Sequence, residues 1–347
     1  MNTENSVPES ALAPGRIRVD PCASVARIGG IAAAGAICIL LASGTCAAAA
    51  FPEKPIRIIV PTAVGGPSDL CIRALTEPMS AALGKPLVVE NVTGATGNIG
   101  LERVANAAPD GYTLAQASAA NTANWAARPK ASFDIVSGLK PVGKVCVAAF
   151  TLAVAPTLGV KTVEEFIRYA RANDGKLAYG SIGHGSSQHL VGEMFAAATG
   201  LNLLHVPFRG ESAAAPELAA GRIHMMFMAG AKPFLDGGLI TGLATTNRES
   251  WPPIPSLPPI GKSAALPGFS YNGWNGLMAP KGTPEAVVNR LGEALRRALA
   301  DEKVRATIRT LGNEPGAGTP EDLAAQVKWD ISNFRRIIDE RRLKFPE

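Results

Sequence analysis

Residues 51–116 hold two strand–loop–helix units in quick succession, and this arrangement constrains the fold more than any other feature of the chain. In the first unit, the mainly apolar run Ile56-Arg57-Ile58-Ile59-Val60 breaks into Pro61-Thr62-Ala63-Val64-Gly65-Gly66-Pro67-Ser68. In the second, Leu87-Val88-Val89 leads to Thr93-Gly94-Ala95-Thr96-Gly97. A helical pattern follows each loop, and neither loop carries an acid or a metal ligand. Short strands feeding helices through loops of small and hydroxyl residues argue for α/β architecture. Such loops also leave backbone N–H groups free at a helix N-terminus, where the helix dipole favours an anion.

The alternation continues along the chain. Strands are predicted near 56–60, 87–90, 112–115, 145–155, 177–180, 203–206, 223–228 and 240–245. Helices are predicted near 68–83, 98–107, 162–173, 187–199, 212–220 and 284–299. Two further features predict two lobes. Val142 to Ala155 is a long apolar run for one strand, and Tyr271 to Pro280 is a second strand-like run after the proline-rich segment Trp251 to Pro267. Two crossing segments would make a hinge. One lobe is expected to hold 51–148 plus 270–347, including the helical C-terminal part, and the other 149–269.

At 47% apolar and 18% charged residues, the chain can bury a sizeable core. Residues 1–50 hold three basic and three acidic side chains, so the whole net charge of +5 lies in the remainder. Without a dense Lys/Arg stripe, that excess suits small anions better than nucleic acid. Residues 1–50 read as an export signal: Arg27, an uncharged run from Ile28 to Ala50, then Ala48-Ala49-Ala50 as a cleavage pattern before Phe51. An uncleaved anchor is the alternative, because the run is long enough to span a bilayer. Only Cys71 and Cys146 lie beyond that segment. An exported chain can pair them, or they can stand as two buried thiols; the sequence leaves both open.

Three loops are candidates for ligand contact, each with a plainer reading beside it. In Gly65-Gly66-Pro67-Ser68-Asp69, Ser68 or Asp69 can cap the helix, and the plain reading is a tight turn with its cap. There Gly66 is expected to need a positive φ or close backbone approach. Ser118 and Asn121 follow a strand and can add polar contacts, or cap the next helix. Ser181-Ile182-Gly183-His184-Gly185-Ser186-Ser187 repeats the strand-to-helix logic, with His184 as a group that titrates near neutral pH or as an exposed bystander.

The chain resembles the solute-binding receptors of tripartite tricarboxylate transporters, often called Bug proteins. The resemblance rests on segments in order from Phe51 onward: Lys54-Pro55-Ile56-Arg57, Gly65-Gly66-x-x-Asp69, Val89-Glu90-Asn91, Gly97-Asn98-Ile99-Gly100 and Ala108-Pro109-Asp110-Gly111-Tyr112-Thr113. Tyr179-Gly180-Ser181, Gly185-Ser186-Ser187-x-His189-Leu190, His205-Val206-Pro207 and Ala279-Pro280-x-Gly282-Thr283-Pro284 follow. The resemblance implies a two-lobed, type II-like periplasmic-binding-protein fold with a ligand cleft between the lobes. It implies a small organic anion as ligand, the membrane components of a transporter as partners, a periplasmic location, and neither catalysis nor cofactor. It also implies that loop amides, hydroxyls and water hold the carboxylate.

The expected ligand-binding set is Thr62, Ala63, Gly65, Gly66, Ser68 and Asp69 from the first loop, and Ser118 and Asn121 beside it. Ser181, Gly183, His184, Gly185, Ser186 and Ser187 come from the other lobe. Phe208 and Met228 stand where the family often has Tyr and Asp, so the pocket is expected to be less polar than usual. No metal ligand is expected, because His184, His189, His205 and His224 lack metal-ligand spacing in sequence.

Two other function classes share these residues. A hydrolase would use Ser181 or Ser186 with His184 or His189, but the G-x-S-x-G elbow is missing. A ligand-sensing protein that signals to a membrane sensor would have the same pocket.

Overall fold

The computed structural model describes residues 51–128, 133–316 and 318–345. The export signal expected in residues 1–50 lies outside the described residues. Among these, no helix is long and apolar enough to cross a membrane.

The first sheet is built around β1 (Ile56–Val60), which pairs in parallel with β2 (Leu87–Asn91) and β3 (Thr113–Ser118). Every β1 side chain except Arg57 is buried, as a strand covered on both faces requires. Between β1 and β2 runs α1 (Pro67–Leu83), with Pro67 at a first position where its missing N–H costs nothing. Its apolar stripe of Cys71, Ile72, Leu75, Met79 and Leu83 packs in one cluster with Ile56, Ile58 and Val60. Gly84, left-handed at φ 72, ends it by donating its N–H to the Ser80 carbonyl. Next come α2 (Asn98–Ala105) and α3 (Ala119–Ala127).

β4 (Leu139–Ala149) joins this sheet, while β5 (Thr151–Val154) belongs to the second. The expected strand across 145–155 is therefore two strands that part at Phe150. An apolar run buried throughout carries no mark of where one sheet gives way to another. The second sheet has the order β7-β6-β8-β5-β9. It comprises β6 (Leu177–Ser181), β7 (Leu203–Pro207), β8 (Met225–Met228) and β9 (Thr241–Thr245) with β5. The helices α4 (Val163–Ala172), α5 (Ser187–Thr199) and α6 (Glu211–Ala219) connect them.

The chain returns through β10 (Asn272–Pro280), antiparallel to both β3 and β4. The two crossings are sewn together. Phe150 N–H donates to Thr246 Oγ1 at 2.8 Å, Thr246 N–H to the Phe150 carbonyl at 2.7 Å, and Tyr271 N–H to the Thr246 carbonyl at 2.9 Å.

After β10 come α7 (Glu285–Ala300), α8 (Glu302–Thr310), the two-residue β11 (Glu314–Pro315) at the sheet edge, and α9 (Pro320–Arg341). α7 packs on α1, and α9 on α3 and β4. α9 also reaches α5, where Arg341 pairs with Glu193 at 3.0 Å.

Candidate functional site

At the end of β1 the loop to α1 is organised by Asp69, which is fully buried. One carboxylate oxygen accepts the Gly65 N–H at 2.9 Å and Arg73 Nε–H at 2.8 Å; the other accepts Asn91 Nδ2–H at 2.9 Å. Burial opposes the charge, but Arg73 and the Gly65 and Asn91 donors outweigh it, and the carboxyl lies below its ordinary range. Asn91 also donates to the Thr62 carbonyl at 3.0 Å and accepts from Arg73 at 2.9 Å. Arg73 is thus spent inside the loop.

Neither Ser68 nor Asp69 caps α1, as the sequence suggested either would. Gly66 is the N-cap, and no side chain bonds to the helix start. The reason is Pro67: the helix begins there, which puts Ser68 and Asp69 inside the first turn and turns the Asp69 carboxylate back to Gly65. The left-handed residue is Gly65, at φ 78. Gly66 is ordinary extended backbone at φ −71 and ψ 162, which corrects the positive φ expected of it. Ala63 and Gly65 are exposed, and Gly66 and Ser68 half-buried. Thr62 Oγ1 is buried without a hydrogen-bond partner.

Ser118 and Asn121 are engaged with each other at the start of α3. Ser118 N–H donates to Asn121 Oδ1 at 2.9 Å, the return half of a capping box. Asn121 also lies against Gly97 of the second loop, where a Cβ would come within 2.9 Å of its Nδ2.

In the second sheet, β6 delivers Ser181 to the head of a loop that turns through Gly183 and Gly185, both at positive φ, into α5. Ser186 caps α5 by accepting His189 N–H at 3.2 Å. Ser187 Oγ donates to Gln188 Oε1 at 3.0 Å. Ser181 Oγ accepts the Gly183 N–H at 3.1 Å and shares a 2.7 Å hydrogen bond with His205 Nε2. Phe208 N–H donates to the Ser181 carbonyl at 2.8 Å. Gly185 sits against Ala127 and Arg128 at the end of α3, where a Cβ would lie 2.9 Å from the Ala127 methyl. The tight fit brings this loop onto an element of the first sheet.

Three of the four histidines meet here despite their sequence spacing. His184, His189 and His205 bring nitrogens within 4.8 Å of one another. The His189 and His205 rings stack at 3.7 Å and 4°. His189 Nδ1 accepts the Gly185 N–H at 3.0 Å, so its remaining proton sits on Nε2 and the ring has no lone pair left for a metal. Burial first, then the neighbouring imidazoles, holds His189 down to about 4 and His205 down to about 3. Both rings are neutral at pH 7, and His184 is exposed.

Met228 lies beneath the Ser181–Ser187 loop, in a core cluster against which Ile182 and Phe208 pack. It is fully buried at the end of β8, and the cluster also holds Ala153, Ala178, Ala214, Leu218 and Ile223. Glu211 organises the turn beyond it by accepting Ala229 N–H at 2.7 Å, Gly230 N–H at 2.8 Å and Gln188 Nε2–H at 3.2 Å. Sequence reading did not single out Arg73, Asn91, Gln188, His205 or Glu211 as organisers of these loops. Asn91 and His205 lay within matching segments, whereas Arg73, Gln188 and Glu211 carried no local signal.

Known proteins resemble this chain in sequence and in fold. A family model described as "Tripartite tricarboxylate transporter family receptor" matches residues 71–343. The periplasmic binding protein BugD is 31% identical, with TM-score 0.71 over 85% of this chain and 99% of that one. Two Rhodopseudomonas palustris proteins are also similar. Rpa4515, solved with adipate, is 30% identical with TM-score 0.73, covering 83% of this chain and 97% of its own. MatC, solved with bound malate, is 31% identical with TM-score 0.71, covering 83% and 100%. A two-sheet α/β fold with strand-to-helix loops in each sheet, matched by that family's model over most of its length, makes this chain a member of the tripartite tricarboxylate transporter receptor family of periplasmic solute-binding proteins.

Proposed function

We propose that this chain is an exported receptor that captures a small organic carboxylate and delivers it to the membrane components of a tripartite tricarboxylate-type transporter. In this reading residues 51–148 and 270–347 form one lobe and 149–269 the other. The Thr62–Asp69 and Ser181–Ser187 loops face each other across the cleft. One observation carries the reading: the 17-residue α1 begins without a side-chain cap, beside a buried Thr62 hydroxyl that lacks a partner. An uncapped helix start offers N–H groups and a positive dipole end to a carboxylate. The grip is neutral, since Arg73 is committed to Asp69 and Asn91. Neutral donors bind anions well when preorganised and shielded from water. The adipate and malate held by relatives support a dicarboxylate of four to six carbons as ligand class.

The hydrolase reading is disfavoured by geometry. Ser181 is fully buried and Ser186 Oγ is taken by the α5 cap, so neither presents a free nucleophile.

A thermal-shift screen of mono-, di- and tricarboxylates tests the proposal. A true ligand at about 100 times its Kd adds about 2.7 kcal/mol of stability. If none of these acids raises the melting temperature, the chain is not a carboxylate receptor. Loss of uptake of the identified acid in a deletion strain tests delivery, and loss of gene induction with uptake intact would assign sensing instead.

A further inference from the structure

We propose that Cys71 and Cys146 are an oxidation site that closes to a structural disulfide as the chain folds in an oxidising compartment; this rests on the export reading above. Cys71 lies in the second turn of α1 and Cys146 on β4, 75 positions later. Both are fully buried in the same core cluster, and their sulfurs stand 2.9 Å apart. Each sulfur also faces a buried or half-buried amide donor at 3.5 Å: Asn313 Nδ2 at Cys71 and Asn275 Nδ2 at Cys146. Two thiols held in contact between a helix and the sheet beneath it need little movement to bond.

The location gives the bond a role. Cys71 follows Asp69 by two residues, so the link would pin the first turns of α1, and with them the uncapped start, to β4. β4 is the strand that leads to the crossing at Phe150. The closed loop spans β2, α2, β3 and α3, and a long loop is where a cross-link most restricts the unfolded chain.

The chemistry is thiol–disulfide exchange with an oxidised dithiol oxidoreductase. One cysteine thiolate attacks a sulfur of the oxidant's disulfide and forms a mixed disulfide. The other cysteine thiolate attacks the sulfur of the first, forming the Cys71–Cys146 bond and breaking the mixed one. Both electrons leave on the oxidant, and the two protons released by the cysteines restore its thiols. Full burial shields the pair once folding is complete, so exchange belongs to the folding chain.

The test uses the full chain expressed with its own N-terminal segment, extracted from cells without reductant and denatured in iodoacetamide. Peptide mapping should find Cys71 and Cys146 joined, with alkylation of both only after reduction. A parallel sample is fully reduced, unfolded and refolded in oxidised and reduced glutathione. It should regain the link, and the linked protein should melt about 5 °C above its reduced form. Cys71→Ala and Cys146→Ala should each leave the remaining cysteine alkylated without reductant. Free thiols after refolding in the glutathione buffer would overturn the proposal on geometry. A link formed in glutathione but absent from protein extracted from cells would also overturn it, and would place the fault in the export reading.

Discussion

Gly65 and Gly66 are neighbours with different constraints. Gly65 holds φ 78, and its N–H is committed to Asp69, whereas Gly66 holds φ −71. An added Cβ at Gly66 meets only the Ala63 carbonyl oxygen, at 3.3 Å. Gly65→Ala should therefore cost about 1 kcal/mol of stability through the left-handed backbone, and Gly66→Ala less than half of that. Chemical denaturation of the two variants checks the order; equal costs would contradict the backbone assignment. The doublet itself is visible in the sequence. Which glycine carries the strain is not, because that depends on where Pro67 starts the helix and on the carboxylate that reaches back from its first turn.

At the scale of an element, α5 illustrates how a local signal and a packing constraint combine. Its bounds are those predicted, 187–199, because Ser186 supplies a cap and Gly200 a left-handed stop. Ser186→Ala removes the acceptor for His189 N–H and should destabilise the protein by about 1 kcal/mol. If Ser186 also donates to the ligand, calorimetry should show a further loss of about 1 kcal/mol in binding. A stability loss without a binding loss would confine Ser186 to the cap. Within the same helix Gly192 faces the Tyr179 ring, where a Cβ would lie 2.4 Å from Cε2. That ring donates its hydroxyl to Glu193 at 2.6 Å, and Glu193 in turn pairs with Arg341 of α9. Nothing in the spacing of α5 reveals this contact, because the partner, Tyr179, belongs to β6.

For the whole molecule, buried titratable groups make stability depend on pH with a definite sign. His189 and His205 have folded pKa values near 4 and 3, below the ordinary value of 6.5. The unfolded chain therefore binds more protons than the folded one as pH falls below about 6.5, and their contribution, full above that value, is lost on acidification. For His189 alone the loss between pH 7 and pH 5 is about 2 kcal/mol. Asp330 acts in the opposite sense. It accepts hydrogen bonds from Trp274, Gln326 and Thr122, yet burial pushes its carboxyl up to about 6. Its stabilising contribution, full below the ordinary 3.8, is lost as pH rises through 6, so it recovers about 1 kcal/mol between pH 7 and pH 5. Burial also raises the Glu211 carboxyl, in the same sense as Asp330, and the two imidazoles together outweigh both carboxyls. Urea unfolding should find the protein less stable at pH 5 than at pH 7, and His205→Gln should reduce the difference. Equal stability at the two pH values would show that the stacked rings do not stay neutral.

Much of this protein is determined by local sequence. Alternating apolar runs, glycine stops and proline starts gave the α/β class and nearly every strand and helix, because those signals act over a few residues and need no partner. The ordered motifs pointed to the receptor family for the same reason. Tertiary structure alone decided what distant residues do to one another. It split the Val142–Ala155 run at Phe150, because burial on both sides of that point looks identical in sequence. It brought three histidines together and then gave the lone pair of one to Gly185. It set Asp69 among Gly65, Arg73 and Asn91, and Cys71 against Cys146. Spacing along a chain fixes neighbours within an element; the contacts that spend a charge, a lone pair or a thiol form only when separate elements pack.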